Sequence, residues 1–560
     1  MRLEIRVHPR KSEAATPMDD RKFGALAPRG LFNALVLTCA FVAGMWLVGM
    51  PSSALLPTVA VPQADDDVVL EFNRFFKKYK DAPTRVEAVL ALDGTDTIGV
   101  AEALLPVLID EFPTVADAAI QILSGLKAEP PVLYLLERME KEKKGPLLEA
   151  LLEVMAGGHF VAAAPMTIEF LESRHWPVRR RAVLAVTAIQ VANAEALATA
   201  EIDSAAALMP LTQDKEVAVR CAALEGLAIL KSELVLTPAK ADLLHESWQV
   251  RVSAIRALGM VRHVDSIGPL LDCMEREEGR LIEDAAWSLT ELTGQNYGLR
   301  IPLWRRFWDT WSERYELPTD EELAKKMAAI AETDLRYNPR EGDAAFGGVD
   351  TPSRSILFVI DVSGSMDDKI SEVAKFRTAG HTEFRRIDIV KRELSRTIEN
   401  LESYVQFNIL TFATDMSAWK KKQVRANVLN KSSALSWIAR LEPIGGTSKQ
   451  DLHQVGLIGS ANLEGGKTNT HLALMTALGV LPAGRRETEY EVKIDTIFFL
   501  SDGLPSMGEL IEIEDLLRSV RVENELRKIA IHAIGIGSFQ KAFLRRLASE
   551  NGGKFVDLGK

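Results

Sequence analysis

Cysteine is scarce: three in 560 residues, too few for a disulfide framework, so apolar packing has to hold the chain together. Cys39 lies in an apolar run. Cys221 and Cys273 fall in helical-looking segments, where a small buried thiol is the expected role. An excess of positive charge is also missing. The 67 Lys and Arg residues are outnumbered by 78 Asp and Glu, a formal balance of −11, and no dense basic stripe overrides it. That balance argues against nucleic acid as the main partner. The runs Arg179-Arg180-Arg181 and Lys420-Lys421-Lys422 read as solvated surface. Nine histidines are scattered, none paired with a cysteine or carboxylate at metal-ligand spacing, and no Gly-x-Ser-x-Gly elbow occurs. No complete catalytic set is present, so the expectation is a protein that is not an enzyme.

What is present reads as several folded parts. Hydrophobic residues make up 47% and charged residues 26%, ordinary for a folded protein, and the length leaves room for two to four domains. One stretch stands apart. Residues 31–50, "LFNALVLTCAFVAGMWLVGM", carry no charge, and about twenty such residues are what one helix needs to cross a bilayer. Arg21, Lys22 and Arg29 precede the run, whereas Asp65, Asp66 and Asp67 lead its far side. The positive flank stays in the cytoplasm on this pattern, and the rest of the chain crosses. The expectation is a cytoplasmic segment 1–30, an uncleaved anchor at 31–50 and a linker at 51–67. A cleaved signal is the alternative, with small residues at 52–54. Met18 is a second candidate start. In either case the bulk of the protein lies on the extracytoplasmic side, periplasmic or extracellular.

From 68 to 315 the chain is helical in character and repeats itself. Ala88, Ala119, Ala150, Ala182, Ala223, Ala254 and Ala285 recur at spacings of 31, 31, 32, 41, 31 and 31 residues. Apolar residues three and four apart surround each of them, the period of a helix face. Pro83, Pro113, Pro146 and Pro177 stand four to six residues earlier, where a helix's first turn accepts proline. A period near 31 fits two short helices per unit, and stacked units bury what one pair cannot. The spacing of 41 implies ten extra residues within 187–214, read as a longer loop. The copies "VRRRAVLAV", "VRCAALEGL" and "VRVSAIRAL" give this stretch a resemblance to HEAT-repeat α-solenoids. The resemblance implies a scaffold or binding surface. Trp304, Phe307, Trp308 and Trp311 lie on one face of a segment expected to cap the array, and 316–354 reads as a charged helix followed by a Gly- and Pro-rich linker.

After the linker, "ILFVIDVSGSM" (356–366) is an apolar run that ends in oxygen-bearing side chains. Asp361, Ser363 and Ser365 are spaced by two, so an extended turn can aim all three at one point. Open α/β sheets place ligands beyond the carboxyl ends of their strands. Magnesium asks for an oxygen shell at about 2.0–2.1 Å, and further ligands are expected from later loops. Thr468 opens a helical segment, and Asp502 ends the apolar run "DTIFFLSDG". "YVQFNILTFAT" (404–414) and "IAIHAIGIGS" (529–538) read as further strands of a doubly wound, Rossmann-like sheet.

With these motifs in order, residues 355–560 resemble the von Willebrand factor type A domain, whose metal-ion-dependent adhesion site reads D-x-S-x-S, then Thr, then Asp. The resemblance implies Asp361, Ser363, Ser365, Thr468 and Asp502 as the metal set. It implies that the hydroxyls touch the ion directly while the aspartates often act through water. It implies Mg2+, or Ca2+ or Mn2+, as the cofactor, and a protein partner that offers an acidic side chain.

"LEGGKTNTH" (463–471) admits a second reading, because Gly466-Lys467-Thr468 looks like the end of a phosphate-binding loop. The first glycine of that loop is replaced by Ala461, and the nucleotide reading leaves Asp361, Ser363 and Ser365 unexplained. Nucleotide is therefore not expected. Asp361 also lacks the second aspartate, two residues on, of the aspartate phosphatases. Three features depart from the family: Lys467 ahead of the threonine, Thr447 as a rival ligand, and the extra sequence 367–386 beside the first metal loop. His471 reads as a surface or helix-start residue. The favoured expectation is a membrane-tethered interaction, adhesion or scaffold protein. The alternative is an accessory subunit of an enzyme complex, as in chelatases.

Overall fold

The protein is described from a computed structural model that covers residues 63–334, 344–346, 349–370, 373, 377, 382–444, 466–480, 493–503, 505–536 and 541–558. The apolar run 31–50, Cys39 and Thr447 lie outside these residues. Among the described residues no helix is long and apolar enough to cross a membrane.

The repeating alanines sit on seven helices, each separated from the next in sequence by at least one further helix: α1 (Ala82–Leu90), α2 (Pro113–Ser124), α3 (Gly145–Gly157), α4 (Trp176–Ala192), α5 (Val217–Ile229), α6 (Trp248–Val261) and α7 (Arg280–Thr293). Each packs on the next. Six of the seven alanines are buried, and Ala88 on the first helix is partly so. A methyl group at the crossing lets neighbouring helices approach, and larger side chains on either side fill the layer. Pro83, Pro113, Pro146 and Pro177 all occupy the first turns of their helices, where no backbone donor is lost.

The extra ten residues are not a loop. They lengthen α4 to 17 residues and form the short helix Ala194–Thr199. The aromatic segment is helix α8 (Ile301–Trp311), which lays Trp304 fully buried against the end of the array. Trp304 Nε1 donates to the Gly298 carbonyl at 2.9 Å, so the ring is buried with its polar edge satisfied. The charged helix follows as α9 (Asp320–Asp334).

Part of the expected linker is structured. Strands β1 (Ala344–Phe346) and β2 (Val349–Thr351) pair antiparallel. The main sheet then contains β3 (Ser355–Asp361), β4 (Gln406–Phe412), β5 (Met416–Ala418), β6 (Val424–Arg425), β7 (Thr496–Ser501), β8 (Ala530–Gly535) and β9 (Phe555–Asp557). Its order is β5-β4-β3-β7-β8-β9, with β6 also on β4. Five strands run parallel, and only the short β5 and β6 are antiparallel.

Alternate residues of β3 divide two cores, as the period of a strand requires. Ile356, Phe358 and Ile360 face α10 (Arg386–Asn400) and share its Val390, Leu394 and Ile398. Leu357 and Val359 face the other side, with α12 (Thr470–Ala477), α13 (Ile513–Arg527) and α14 (Lys541–Glu550). The short α11 (Val428–Ile438) packs on α10. The chain leaves β3 toward β4 and later returns to β3's other side as β7. The crevice where the order reverses therefore lies beyond the carboxyl ends of β3 and β7.

The opposite, amino ends of four parallel strands are held by the helical array. Arg354, just before β3, pairs with Glu278. The buried Arg280, first residue of α7, donates to the Asp495 carbonyl before β7 at 3.2 Å, and to the carbonyl of Lys528. Lys528, ahead of β8, pairs with Glu225, and Lys554, ahead of β9, pairs with Glu283 at 2.9 Å. The seam leaves the carboxyl edge of the sheet turned away from the array.

This seam corrects the reading of the arginine run as solvated. Arg180 is buried and pairs with Glu525 at 2.7 Å. Arg179 makes a two-pronged contact with Asp214 at 2.8 and 2.9 Å, and Arg181 lies 3.3 Å from Glu153. Lys421 and Lys422 are exposed, as expected. Cys221 and Cys273 are buried helical residues, and burial pushes their thiols up to about 11 and about 12. Neither is a thiolate near neutral pH.

Candidate metal centre

Three loops meet at the carboxyl edge. The first leaves β3 at Asp361, the second enters α12 through Gly466–Asn469, and the third leaves β7 at Ser501. Backbone hydrogen bonds tie them together. The Gly364 N–H donates to the Gly466 carbonyl at 3.0 Å, linking the first loop to the second. Ser506 N–H donates to the Thr468 carbonyl at 3.0 Å, and Thr468 N–H donates to Ser506 Oγ at 2.8 Å, linking the second to the third. The Asn469 N–H reaches the Ala413 carbonyl beyond β4 at 2.9 Å.

Side chains of the first and third loops, with the Ser363 backbone N–H, form one continuous chain of hydrogen bonds. Ser501 Oγ donates to Asp361 Oδ2 at 2.7 Å, and Ser363 N–H donates to Asp361 Oδ1 at 2.8 Å. Ser365 Oγ donates to Asp502 Oδ1 at 2.8 Å. The Ser365 proton is thereby committed, and the two serine hydroxyls lie 3.2 Å apart. Each serine oxygen keeps lone-pair capacity for a further partner. Asp502 Oδ2 is met by Arg386 Nη1 at 2.7 Å.

Asp361, Ser363, Thr468 and Asp502 are buried, and Ser365 is partly so. Burial, with the charge of Asp502 behind it, pushes the Asp361 carboxyl up to about 7. Asp502 is also raised by burial, with Arg386 and Ser365 pulling against that rise. Two desolvated carboxylates this close repel one another when both are ionised, and a cation between them relieves the repulsion.

All five expected residues are therefore brought to one edge by three interlocked loops. Among the described residues no three His, Cys, Asp or Glu side chains converge on a metal position. This set is of another type, three hydroxyls and two carboxylates, an all-oxygen donor chemistry that fits a hard divalent cation. Lys467, the charged departure ahead of Thr468, is exposed rather than buried in the site. His471 does start a helix, but it is buried rather than on the surface, with Nε2 3.3 Å from Ser519 Oγ. Beside the first loop, the ends of the extra segment pair with each other. Ile370 N–H donates to the Phe384 carbonyl and Arg386 N–H to the Asp368 carbonyl, both at 3.0 Å.

Two contributors were not anticipated. Ser501 reads only as the last residue of a buried strand, and Arg386 only as the end of the extra segment. Neither carries a local signal, because the partners lie 140 and 116 residues away.

The model of the von Willebrand factor type A domain matches residues 355–558. Residues 355–558 are a von Willebrand factor type A domain. Among known proteins, human inter-alpha-trypsin inhibitor heavy chain H4 is 28% identical over 208 residues, 37% of this chain and 18% of that protein. Heavy chain H2 of Sus scrofa is 26% identical over 262 residues, 44% of this chain and 24% of that protein. The chain thus spans less than a quarter of the length of either relative. Among solved structures, proximal thread matrix protein 1 of the mussel byssus, with a zinc-occupied MIDAS motif, is 15% identical with a TM-score of 0.23. The match covers 36% of this chain and 43% of that one. The type A domain's candidate site is the hydroxyl-rich edge just described, and the helical array lies N-terminal to it.

Proposed function

We propose that the chain binds partner proteins through a divalent cation, Mg2+, Ca2+ or Mn2+, held at the type A domain by Asp361, Ser363, Ser365, Thr468 and Asp502. Type A domains typically mediate protein–protein interaction and adhesion, and that general role is the starting point. The observation that carries the finer reading is the hydrogen-bonded chain from Ser501 to Asp502. It spends both aspartates on orienting hydroxyls and leaves the serine oxygens available. When bound, the cation supplies an electron-poor position that takes a partner's carboxylate.

The residues' own work is positioning and charge balance. Asp361 is fixed by Ser363 and Ser501, while Asp502 is fixed by Ser365 and Arg386. A partner's acid meeting this edge makes a partly desolvated, charge-assisted contact, which contributes far more than an exposed ion pair. The array grips the opposite end of the sheet, so the edge stays available while the helices offer a second, HEAT-like surface. We assign binding rather than catalysis: each aspartate is engaged in orienting a hydroxyl, and the serine lone pairs that remain act as ligands for a cation rather than as nucleophiles. We place this activity on the extracytoplasmic side, tethered by residues 31–50.

The test is retention of proteins from a native extract on the immobilised full chain with Mg2+, with chelator, and as Asp361→Ala. At least one protein held only by the unmutated chain with Mg2+ is the expected result. Identical retention in all three conditions contradicts the reading. Protease access to Lys560 from outside the cell separates this role from that of a cytoplasmic accessory subunit.

A further inference from the structure

Arg386 is the first residue of α10 and closes the extra segment that distinguishes this sequence beside the first loop. Its guanidinium points back into the site. Nη1 lies 2.7 Å from Asp502 Oδ2 and 3.1 Å from the Ser365 carbonyl, with Asp368 Oδ2 at 3.7 Å. Its side chain is only 12% exposed, and Nε is buried with no hydrogen-bond partner. The adjacent Arg385 turns elsewhere, to Asp388, Asp367 and Glu442. Among the described residues, then, Arg386 supplies the ion pair to Asp502. With Ser365 on the other oxygen, both oxygens of Asp502 are engaged.

We infer that Arg386 is an internal cation of this site: it competes with the divalent ion for Asp502 and holds the site's metal affinity down. The inference rests on the metal reading proposed above. A divalent ion that draws on Asp502, directly or through water, must share that carboxylate with a fixed positive charge in a desolvated pocket. Like charges at such range shift ionic equilibria by roughly tenfold or more. The charge count gives the device a purpose. Of the buried and part-buried groups, the two carboxylates, when ionised, and the guanidinium sum to −1. A divalent ion brings that sum to +1 and a partner's carboxylate brings it to zero, while Asp368, 66% exposed, is screened by solvent. Arg386 thus leaves the loaded site with a positive charge that an acidic partner neutralises.

The experiment titrates MnCl2 into the metal-free full chain by calorimetry, for wild type, Arg386→Gln and Arg386→Lys, and records thermal unfolding of each in chelator and in Mn2+. Arg386→Gln is expected to bind Mn2+ roughly tenfold more tightly than wild type, as loss of a nearby like charge requires. In chelator it should unfold at a lower temperature, since Asp502 loses its partner, and Mn2+ should restore it. Should that variant be unfolded without metal, Mn2+-induced folding reports binding and folding together, and the binding constant is obtained after dividing out the folding equilibrium. Arg386→Lys, which keeps the charge, should stay close to wild type. Unchanged or weaker affinity in Arg386→Gln, beside normal binding in wild type, overturns the inference and leaves the metal reading standing. Equal tightening in both variants also overturns it, since geometry rather than charge would then decide. No binding to any of the three overturns the metal reading and the inference with it.

Discussion

Lys528 Nζ lies 2.6 and 2.7 Å from the two carboxylate oxygens of Glu225, across 303 residues of chain. Lys528 stands at the end of α13 in the left-handed region, φ 58°, where glycine is the easier residue. Its side chain is buried, whereas that of Glu225 is a quarter exposed. Ser253 Oγ donates a further hydrogen bond to Glu225 Oε1 at 2.7 Å. One residue thus both ends a helix of the type A domain and locks that domain to the array.

Replacing Lys528 with Met leaves Glu225 short of its charge partner and keeps the backbone strain. A fully buried pair broken this way loses about 3–5 kcal/mol, and the partial exposure of Glu225 reduces the expected loss to about 2 kcal/mol. Lys528→Gly should lose about 1 kcal/mol less, because the left-handed conformation becomes unstrained. Urea midpoints for the two variants check the order. Equal losses would show that the backbone conformation carries no strain.

Ser501 should matter to the metal site without touching the metal. Its hydroxyl holds Asp361 Oδ2, and the residue is fully buried at the end of β7. Ser501→Ala is expected to keep the far-ultraviolet dichroism and weaken Mn2+ binding by about tenfold, the low end for loss of such an outer support. Calorimetric titration measures it, and an unchanged constant would remove Ser501 from the site.

His532 makes stability depend on pH. It is buried in β8, its Nδ1 accepts the Lys554 N–H at 3.0 Å, and its ring centroid lies 4.9 Å from that of Phe498. Burial pushes the imidazole from 6.5 down to about 3. The unfolded chain therefore takes up a proton near pH 6.5 that the folded chain refuses. The contribution is complete above pH 6.5 and is lost as pH falls toward 3, at about 1.4 kcal/mol per unit. Urea unfolding at pH 7.5 and pH 5 should show wild type losing about 2 kcal/mol more than His532→Phe on acidification. Parallel losses in the two proteins contradict the assignment.

The sequence made the strands legible where apolar runs end in oxygens. Ile356 to Asp361 and Thr496 to Asp502 declare both a buried strand and what its carboxyl end presents. The spacing of Asp361, Ser363 and Ser365 is local, so it can be read directly. Thr468 and Asp502 join them through motif order, and the structure brings their loops together. Charge runs were less legible, because partners decide their role: Arg180 meets Glu525 from the other half of the molecule. The extra residues after Ala182 became helix because "NAEALATA" favours one, and counting alone could not show it. Strands β5 and β6, three and two residues long, are too short to show a period. Arg386 was hidden for a different reason, since only the folded chain places a segment's last residue against a carboxylate 116 positions later.

The most direct measurement is calorimetric titration of Mn2+ and of Mg2+ into the metal-free full chain, beside Asp361→Ala. One binding event per chain in the unmutated protein, abolished by the substitution, is the expected result. Indistinguishable heats from the two proteins would contradict a cation held by Asp361, Ser363, Ser365, Thr468 and Asp502.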